Sequence, residues 1–203
     1  MEKTLYLVRH GETLFNVQKK IQGWCDSPLT DLGIEQAKTT QKYFQGHSIN
    51  FDQCFSSTSE RTSDTLELIT DQPYTRLKGL KEWNFGRLEG ENEIVNPPLP
   101  YRDFFVTYGG EAEFSFQKRA VETCKTLIQN PGDIFLAVSH GAFCGRFRAY
   151  WDEHSQPEWK LESVKQGIGN CCIFKYIYDQ EKFRLVDIIT QDQQKAFLKQ
   201  RAI

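Results

Sequence analysis

The sequence predicts an α/β domain on a mostly parallel sheet, and three observations carry that prediction. Short apolar runs at Thr4 to Val8, Phe51 to Ser56 and Asp133 to Ser139 alternate with stretches whose apolar residues recur at helical spacing. A helix between successive strands brings the chain back to start the next one in the same direction. Finally, 203 residues with 39% hydrophobic and 26% charged content suit one domain able to bury a core.

Each element follows from local chemistry. Thr4 to Val8 is rich in Leu, Tyr and Val and reads as a buried strand ending in Arg9-His10-Gly11. Thr13 to Lys20 reads as a short helix whose first N–H groups add to an anion site at His10. The loop from Gln22 to Thr30 is dense in turn formers, and Thr30 is a good N-cap for a helix over Asp31 to Gln45 that buries Ile34, Ala37 and Phe44. Phe51 to Ser56 is the second strand, and Ser57-Thr58-Ser59-Glu60-Arg61 opens the next helix, which Pro73 has ended before a short edge strand at Thr75 to Leu77. Residues 88–112 run acidic, then Pro-rich, then aromatic, the composition of a lid or binding insert and a place for substrate selection in a pocket that is not purely polar.

Glu113 to Gln129 is a helix buried through Phe116, Ala120, Cys124 and Leu127, stopped by Pro131-Gly132. Asp133 to Ser139 is the most apolar strand, expected at the centre of the sheet, and delivers His140-Gly141 at its carboxyl end. A helix from Gly141 to Trp151 follows, then strands at Cys171 to Tyr178 and Phe183 to Ile188 joined by Asp179-Gln180-Glu181. A polar stretch from Gln191 to Ile203 closes the chain as a short helix or loose tail. No repeat or interdomain linker interrupts this, so residues 1–203 read as one domain with an insert at about 88–112.

Composition sets limits on partners. A formal charge of -2 and a pI near 6.1 supply no electrostatic attraction for nucleic acid or an anionic membrane. Charged Glu2 and Lys3 lead straight into the first strand, and no run has transmembrane length, so the expected location is the cytoplasm. The six cysteines contain no C-x-x-C pair and read as reduced, with Cys171 and Cys172 on a strand and facing opposite ways. Four histidines at 10, 47, 140 and 154 place no ligand set for zinc, and no metal or other cofactor is expected. Nothing in the sequence sets the oligomeric state.

The residues at strand ends carry the chemistry. Ligands in open α/β sheets bind beyond the carboxyl ends of the strands, where His10, Arg61 and His140 all fall. A neutral imidazole with one nitrogen bonded to a carbonyl offers the other as a nucleophile, and guanidinium groups clamp phosphate, so Arg9-His10 with Arg61 points to phosphoryl transfer through a phosphohistidine on a small phosphate ester. Asn16 either points its amide at the same anion or caps its helix. Glu82, flanked by Leu80, Trp83 and Phe85, is either a partly desolvated acid or a solvated turn residue. Cys54 and Arg61 are separated by six residues where a thiol phosphatase loop has five. Ala137-Val138-Ser139-His140-Gly141 imitates a serine hydrolase elbow without its first Gly, leaving only His154 downstream as a base. A phospholigand-binding module without turnover is the third alternative.

Leu7 to Thr13, Asn16, Gly23 to Gly33, Ser57 to Thr65, Glu82 to Gly90 and Ser139 to Gly141 together resemble the histidine phosphatase superfamily, which includes cofactor-dependent phosphoglycerate mutases and many phosphatases. The resemblance covers nearly the whole chain. It implies a three-layer α/β/α sandwich and a metal-free reaction. It makes His10 the nucleophile and Glu82 the proton donor, with Arg9, Arg61 and His140 binding phosphoryl oxygens and Asn16 and Gly23 lining the pocket. Thr58, Ser59 and Thr62 depart from the family pattern around Arg61 in packing more than in chemistry. Asn84-Phe85-Gly86 resembles the phosphatase branch, and the basic residues a mutase brings after its acid have here only Arg87, Arg102 and Lys118-Arg119 as candidates. The implied activity is therefore phosphatase, with mutase-type transfer the alternative.

Overall fold

A computed structural model describes residues 2–155 and 168–201. Strands β1 (Lys3–Arg9), β2 (Gln53–Ser57), β3 (Tyr74–Leu77), β4 (Ile134–Ser139), β5 (Ile173–Asp179) and β6 (Lys182–Ile189) form one sheet in the order β3-β2-β4-β1-β5-β6. The first four positions in that order are parallel, while β5 runs antiparallel to both of its neighbours, so the sheet is mostly parallel as the sequence predicts. The β5–β6 turn puts Gln180 and Glu181 at φ of 47° and 61°, the left-handed pair a two-residue hairpin needs.

Side-chain alternation along the strands divides the core. Leu5 and Leu7 of β1 and Phe135 and Ala137 of β4 face helices α4 (Glu113–Leu127) and α5 (Gly141–Ser155). Tyr6, Val8, Leu136 and Val138 face Phe44 of α2 (Asp31–Gly46) and Leu66 and Ile69 of α3 (Glu60–Ile69). The result is helices, sheet, helices in three layers. The tail from Gln191 is the ordered helix α6 (Gln191–Arg201), docked on α2 through Gln194 to Thr40 and Phe197 against Tyr43. Ala202 and Ile203 lie outside the described residues, as does the side chain of His154.

Two local expectations need correction. The helix after His10 is only α1 (Leu14–Val17), because Lys19 turns into the left-handed region at φ 52° and Lys20 bridges to Asn92. Its first N–H groups are also spent: Leu14 donates to Pro28, Phe15 to Ser27 Oγ and Asn16 to Thr13 Oγ1, so none is left for an anion. Cys171 and Cys172 precede β5 rather than belonging to it; Cys171 sits at φ 52° in a turn, and both are buried thiols. The insert is anchored at two places: Phe105 is fully buried, and residues 90–93 hydrogen-bond backbone to backbone with 19–21.

Candidate active site

The sheet register sets the floor of the site. Arg9 lies opposite Ser139 at the carboxyl ends of β1 and β4, with Val138 opposite Ser56 of β2, so these three strands end level. His10 and His140 are each the next residue, held by the bond from His10 N–H to the Ser139 carbonyl, and their rings meet edge to face with centroids 5.4 Å apart. Gly11 allows this approach because its backbone passes against Gly33, where a Cβ would sit 2.5 Å from the Gly33 carbonyl oxygen. A cavity of about 720 Å³ opens above, lined by Arg9, His10, Asn16 and Glu82 among others.

His10 Nδ1 lies 2.7 Å from the Gly11 carbonyl, so it carries the proton and leaves Nε2 with its lone pair. Burial and the nearby Arg61 and Arg9 charges hold His10 well below the usual histidine range, keeping it neutral. Arg61 is fully enclosed. Its Nη1 donates to the Cys25 carbonyl and Asp26 Oδ1, and its Nη2 to the Gly23 carbonyl and to His140 Nδ1 at 2.8 Å. That last bond places the His140 proton on Nε2, which donates to Ser57 Oγ at 2.9 Å. Both His140 nitrogens are therefore engaged within the protein, and His140 orients Arg61. Burial likewise holds His140 well down. The Nε–H groups of Arg9 and Arg61 are buried and have no hydrogen-bond partner among the described residues; Arg9 lines the cavity, whereas Arg61 and His140 lie behind its lining.

Gly23 does not line the cavity; its carbonyl holds Arg61, and a Cβ there would collide with Glu89 Oε1 and the Trp83 carbonyl. Asn16 lines the cavity while its Oδ1 accepts from Thr13 N–H and from Asn170 Nδ2, so capping and lining coincide. Asn170 also donates to the His10 carbonyl, and Thr65 Oγ1 accepts from Gly11 N–H.

Glu82 is buried, not a solvated turn residue. Its carboxyl accepts from Trp83, Ala142 and Phe143 N–H at 2.9 to 3.0 Å, the last two at the start of α5. Burial raises its pKa against the pull of those donors and of Arg61 and Arg9, favouring the protonated acid. The segment carrying it is held from outside. Arg119 makes a two-point ion pair with Glu111 at 2.7 and 2.8 Å and donates to the carbonyls of Gly79, Lys81 and Glu82. Glu111 also accepts from Trp83 Nε1 and Asn84 N–H. Glu89 accepts from Trp24, Cys25 and Phe85 N–H, joining this segment to the loop that holds Arg61.

Sequence reasoning missed Arg119, Glu111, Glu89, Asn170, Thr65 and Ser57 as supports, and Lys20 and Arg146 as cavity residues. Ser57, Thr65 and Glu89 fall within the stretches that carry the family resemblance; the others had no local signal. Of the basic residues read as candidates for a second anion, Arg87, Arg102, Lys118 and Arg119, none lines the cavity. The hydrolase-like Ser139 is fully buried and donates to the Leu80 carbonyl at 2.7 Å, so it is a tie and not a nucleophile. The Cys54 thiol is pushed up to about 12 by burial, which leaves no thiolate.

Comparison with known proteins bears on the family and the fold. Residues 5–191 match the family described as the histidine phosphatase superfamily (branch 1). A 2,3-bisphosphoglycerate-dependent phosphoglycerate mutase from a Bradyrhizobium species is 36% identical over 98 residues, 45% of this chain and 47% of that protein. The chain thus spans about half the length of the curated relatives it matches. A phosphoglycerate mutase structure from Bacillus anthracis superposes with a TM-score of 0.81 at 23% identity, covering 97% of both chains, and shares the fold. A phosphoserine phosphatase mutant from Entamoeba histolytica, solved with phosphoserine, gives a TM-score of 0.75 at 28% identity, covering 94% of this chain and 98% of that one.

Proposed function

We propose, for a chain that belongs to the histidine phosphatase superfamily (branch 1), that it hydrolyses a small phosphate monoester through a phosphohistidine on His10. The observation that supports this most is the His10 ring itself: neutral, fixed by the Gly11 carbonyl, with Nε2 left to attack in a cavity that also holds the Glu82 carboxyl. Nε2 forms a bond to phosphorus as the ester P–O bond breaks, and the leaving oxygen takes the Glu82 proton. The Nε–H group of Arg9, with the Arg61 charge behind the lining, binds phosphoryl oxygens and steadies the charge that spreads over them. Glu82, now a carboxylate, takes a proton from water; that oxygen bonds to phosphorus, the P–Nε2 bond breaks, and phosphate leaves with Glu82 protonated again. Each step draws on the chain's own groups, so full activity in EDTA is expected.

Mutase-type transfer is the second reading, favoured by the names of the relatives that match half the chain. Against it, none of Arg87, Arg102, Lys118 and Arg119 lines the cavity, and Arg119 is committed to Glu111 and three carbonyls. The test is free-phosphate release from a panel of monoesters in EDTA, wild type against His10→Ala, together with trapping of an acid-labile phosphoenzyme. Release that needs His10 supports the phosphatase. Interconversion of phosphoglycerates without net release gives the mutase, and phosphate-ester binding with neither leaves a binding module.

A further inference from the structure

We propose that this site accepts monoesters whose alcohol carries a bulky apolar or aromatic body, in preference to compact polyanions. The inference rests on the phosphatase reading and names its substrate class. A volume of about 720 Å³ lies within the range of sites for much larger ligands than a three-carbon ester. A compact ester would leave most of the wall facing water.

That wall is carbon. Trp83, Phe85, Leu99, Tyr101, Ala149 and Ile168 line it. Trp83, 1% exposed, backs this surface, with its one side-chain polar atom turned away, Nε1 donating to the Glu111 carbonyl at 2.7 Å. The aromatic group is also fixed, since buried Phe105 meets Trp83, Phe85 and Tyr101 edge-on with centroids 4.7 to 5.7 Å apart. A prearranged aromatic wall binds an apolar body without first ordering side chains. Leu99, by contrast, is 66% exposed at the cavity, an apolar surface that a ligand would cover.

The charges on the same wall do not assemble a second anion site. Arg146 is ion-paired with Glu113 and lies over the Trp83 ring, 5.5 Å from its centroid. Lys20 lies over Phe15, and Glu93 of opposite sign lines the cavity with it. A second phosphate or carboxylate would have to displace Glu113 or bind beside Glu93.

The test uses primary alkyl phosphates, whose leaving groups differ little in basicity, so that chain length reads the wall rather than the chemistry. Methyl, butyl, hexyl and 2-phenylethyl phosphate are compared with glycerol 3-phosphate and 3-phosphoglycerate on the full chain in EDTA. The expected kcat/KM rises by about two- to fourfold per methylene until the wall is covered, with 2-phenylethyl phosphate at least about tenfold above 3-phosphoglycerate. Tyr101→Ser flattens that slope, and Tyr101→Phe, which keeps the ring, retains it. A flat series, or 3-phosphoglycerate as the best ester with Lys20→Met selectively abolishing its turnover, overturns the substrate class while His10-dependent release leaves the phosphatase reading standing. If no ester gives His10-dependent release or a phosphoenzyme, the phosphatase reading and the substrate class fall together.

Discussion

The floor of the site and its wall are held in place by different physics. His10, Arg61 and His140 follow strands that end level, so the ladder of backbone hydrogen bonds that makes the sheet also fixes their spacing. Glu82 and its neighbours Trp83 to Phe85 belong to an irregular segment and are held chiefly by charged side chains: Arg119 on three carbonyls, the Glu111 carboxylate on Asn84, Glu89 on Trp24, Cys25 and Phe85, with the Glu111 backbone carbonyl taking Trp83 Nε1. The spacing of the floor is set by the same strands that carry the core. The wall can be loosened one bracket at a time, which makes it the part of the fold where specificity can diverge while the phosphate site stays constant.

The largest effects lie on the floor and in the acid facing it. His10→Ala is expected to remove about 10⁴-fold or more of the phosphate release, with no phosphoenzyme, in a chain that still folds; wild-type levels of both in that variant would dismiss the nucleophile. Glu82→Gln is expected to lower kcat by about 10²- to 10⁴-fold for alkyl esters, and by much less for esters of acidic phenols, whose leaving oxygen needs no proton. An equal loss on both classes would show that Glu82 shapes the site instead of donating a proton. Burial raises Glu82, so wild-type kcat should fall on the basic side as the acid is lost, at a pH above the ordinary carboxylate range.

Loosening the wall should cost less and should do so in a recognisable way. Arg119→Lys keeps a charge but loses the two-point fork with Glu111 and most of the bonds to the carbonyls of Gly79, Lys81 and Glu82. The expected loss is about 10- to 100-fold in kcat for alkyl esters, accompanied by a displaced basic limb in the pH profile because the Glu82 surroundings have changed. A drop in folded protein alone, with the pH profile unmoved, would reduce Arg119 to a structural residue.

Acid and base separate the two regions again, with opposite signs. The folded-state pKa of His10 and of His140 is depressed, so the stability they support is complete above about 6.5, the ordinary histidine value, and is lost as pH falls below it toward their folded values. Glu82 is raised, so its share is complete below the carboxylate's ordinary range and is lost as pH rises toward its folded value. Melting temperatures from pH 7.5 to 5 should therefore decline less steeply in His10→Asn than in wild type; parallel curves would mean that His10 is not held neutral.

This division also explains what was legible in the sequence. Strands and helices were readable because their period is local, and His10, Arg61 and His140 were readable because each follows a strand. Even α6, a polar tail by composition, owes its order to α2 far away in the chain, where Gln194 meets Thr40 and Phe197 meets Tyr43. The bracing done by Arg119 left no local trace, because on a helix surface such a residue looks solvated and only the return of residues 79–84 supplies its partners. Thr13 to Lys20 failed as a helix for the same reason, since pairing between Lys20 and Asn92 overrode local propensity.

Ser139 stands on the seam between the regions and gives the smallest predicted effect. At the end of β4 it belongs to the floor, yet its hydroxyl reaches the Leu80 carbonyl, two residues before Glu82. Ser139→Ala leaves that carbonyl without its donor in a fully buried place, a loss of about 1–3 kcal/mol in stability. If the wall is held chiefly by Arg119, Glu111 and Glu89, kcat should change by no more than about threefold, with the basic limb of its pH profile unmoved. A tenfold loss with a shifted limb would mean that the floor positions Glu82 directly, and that the two regions are one mechanical unit.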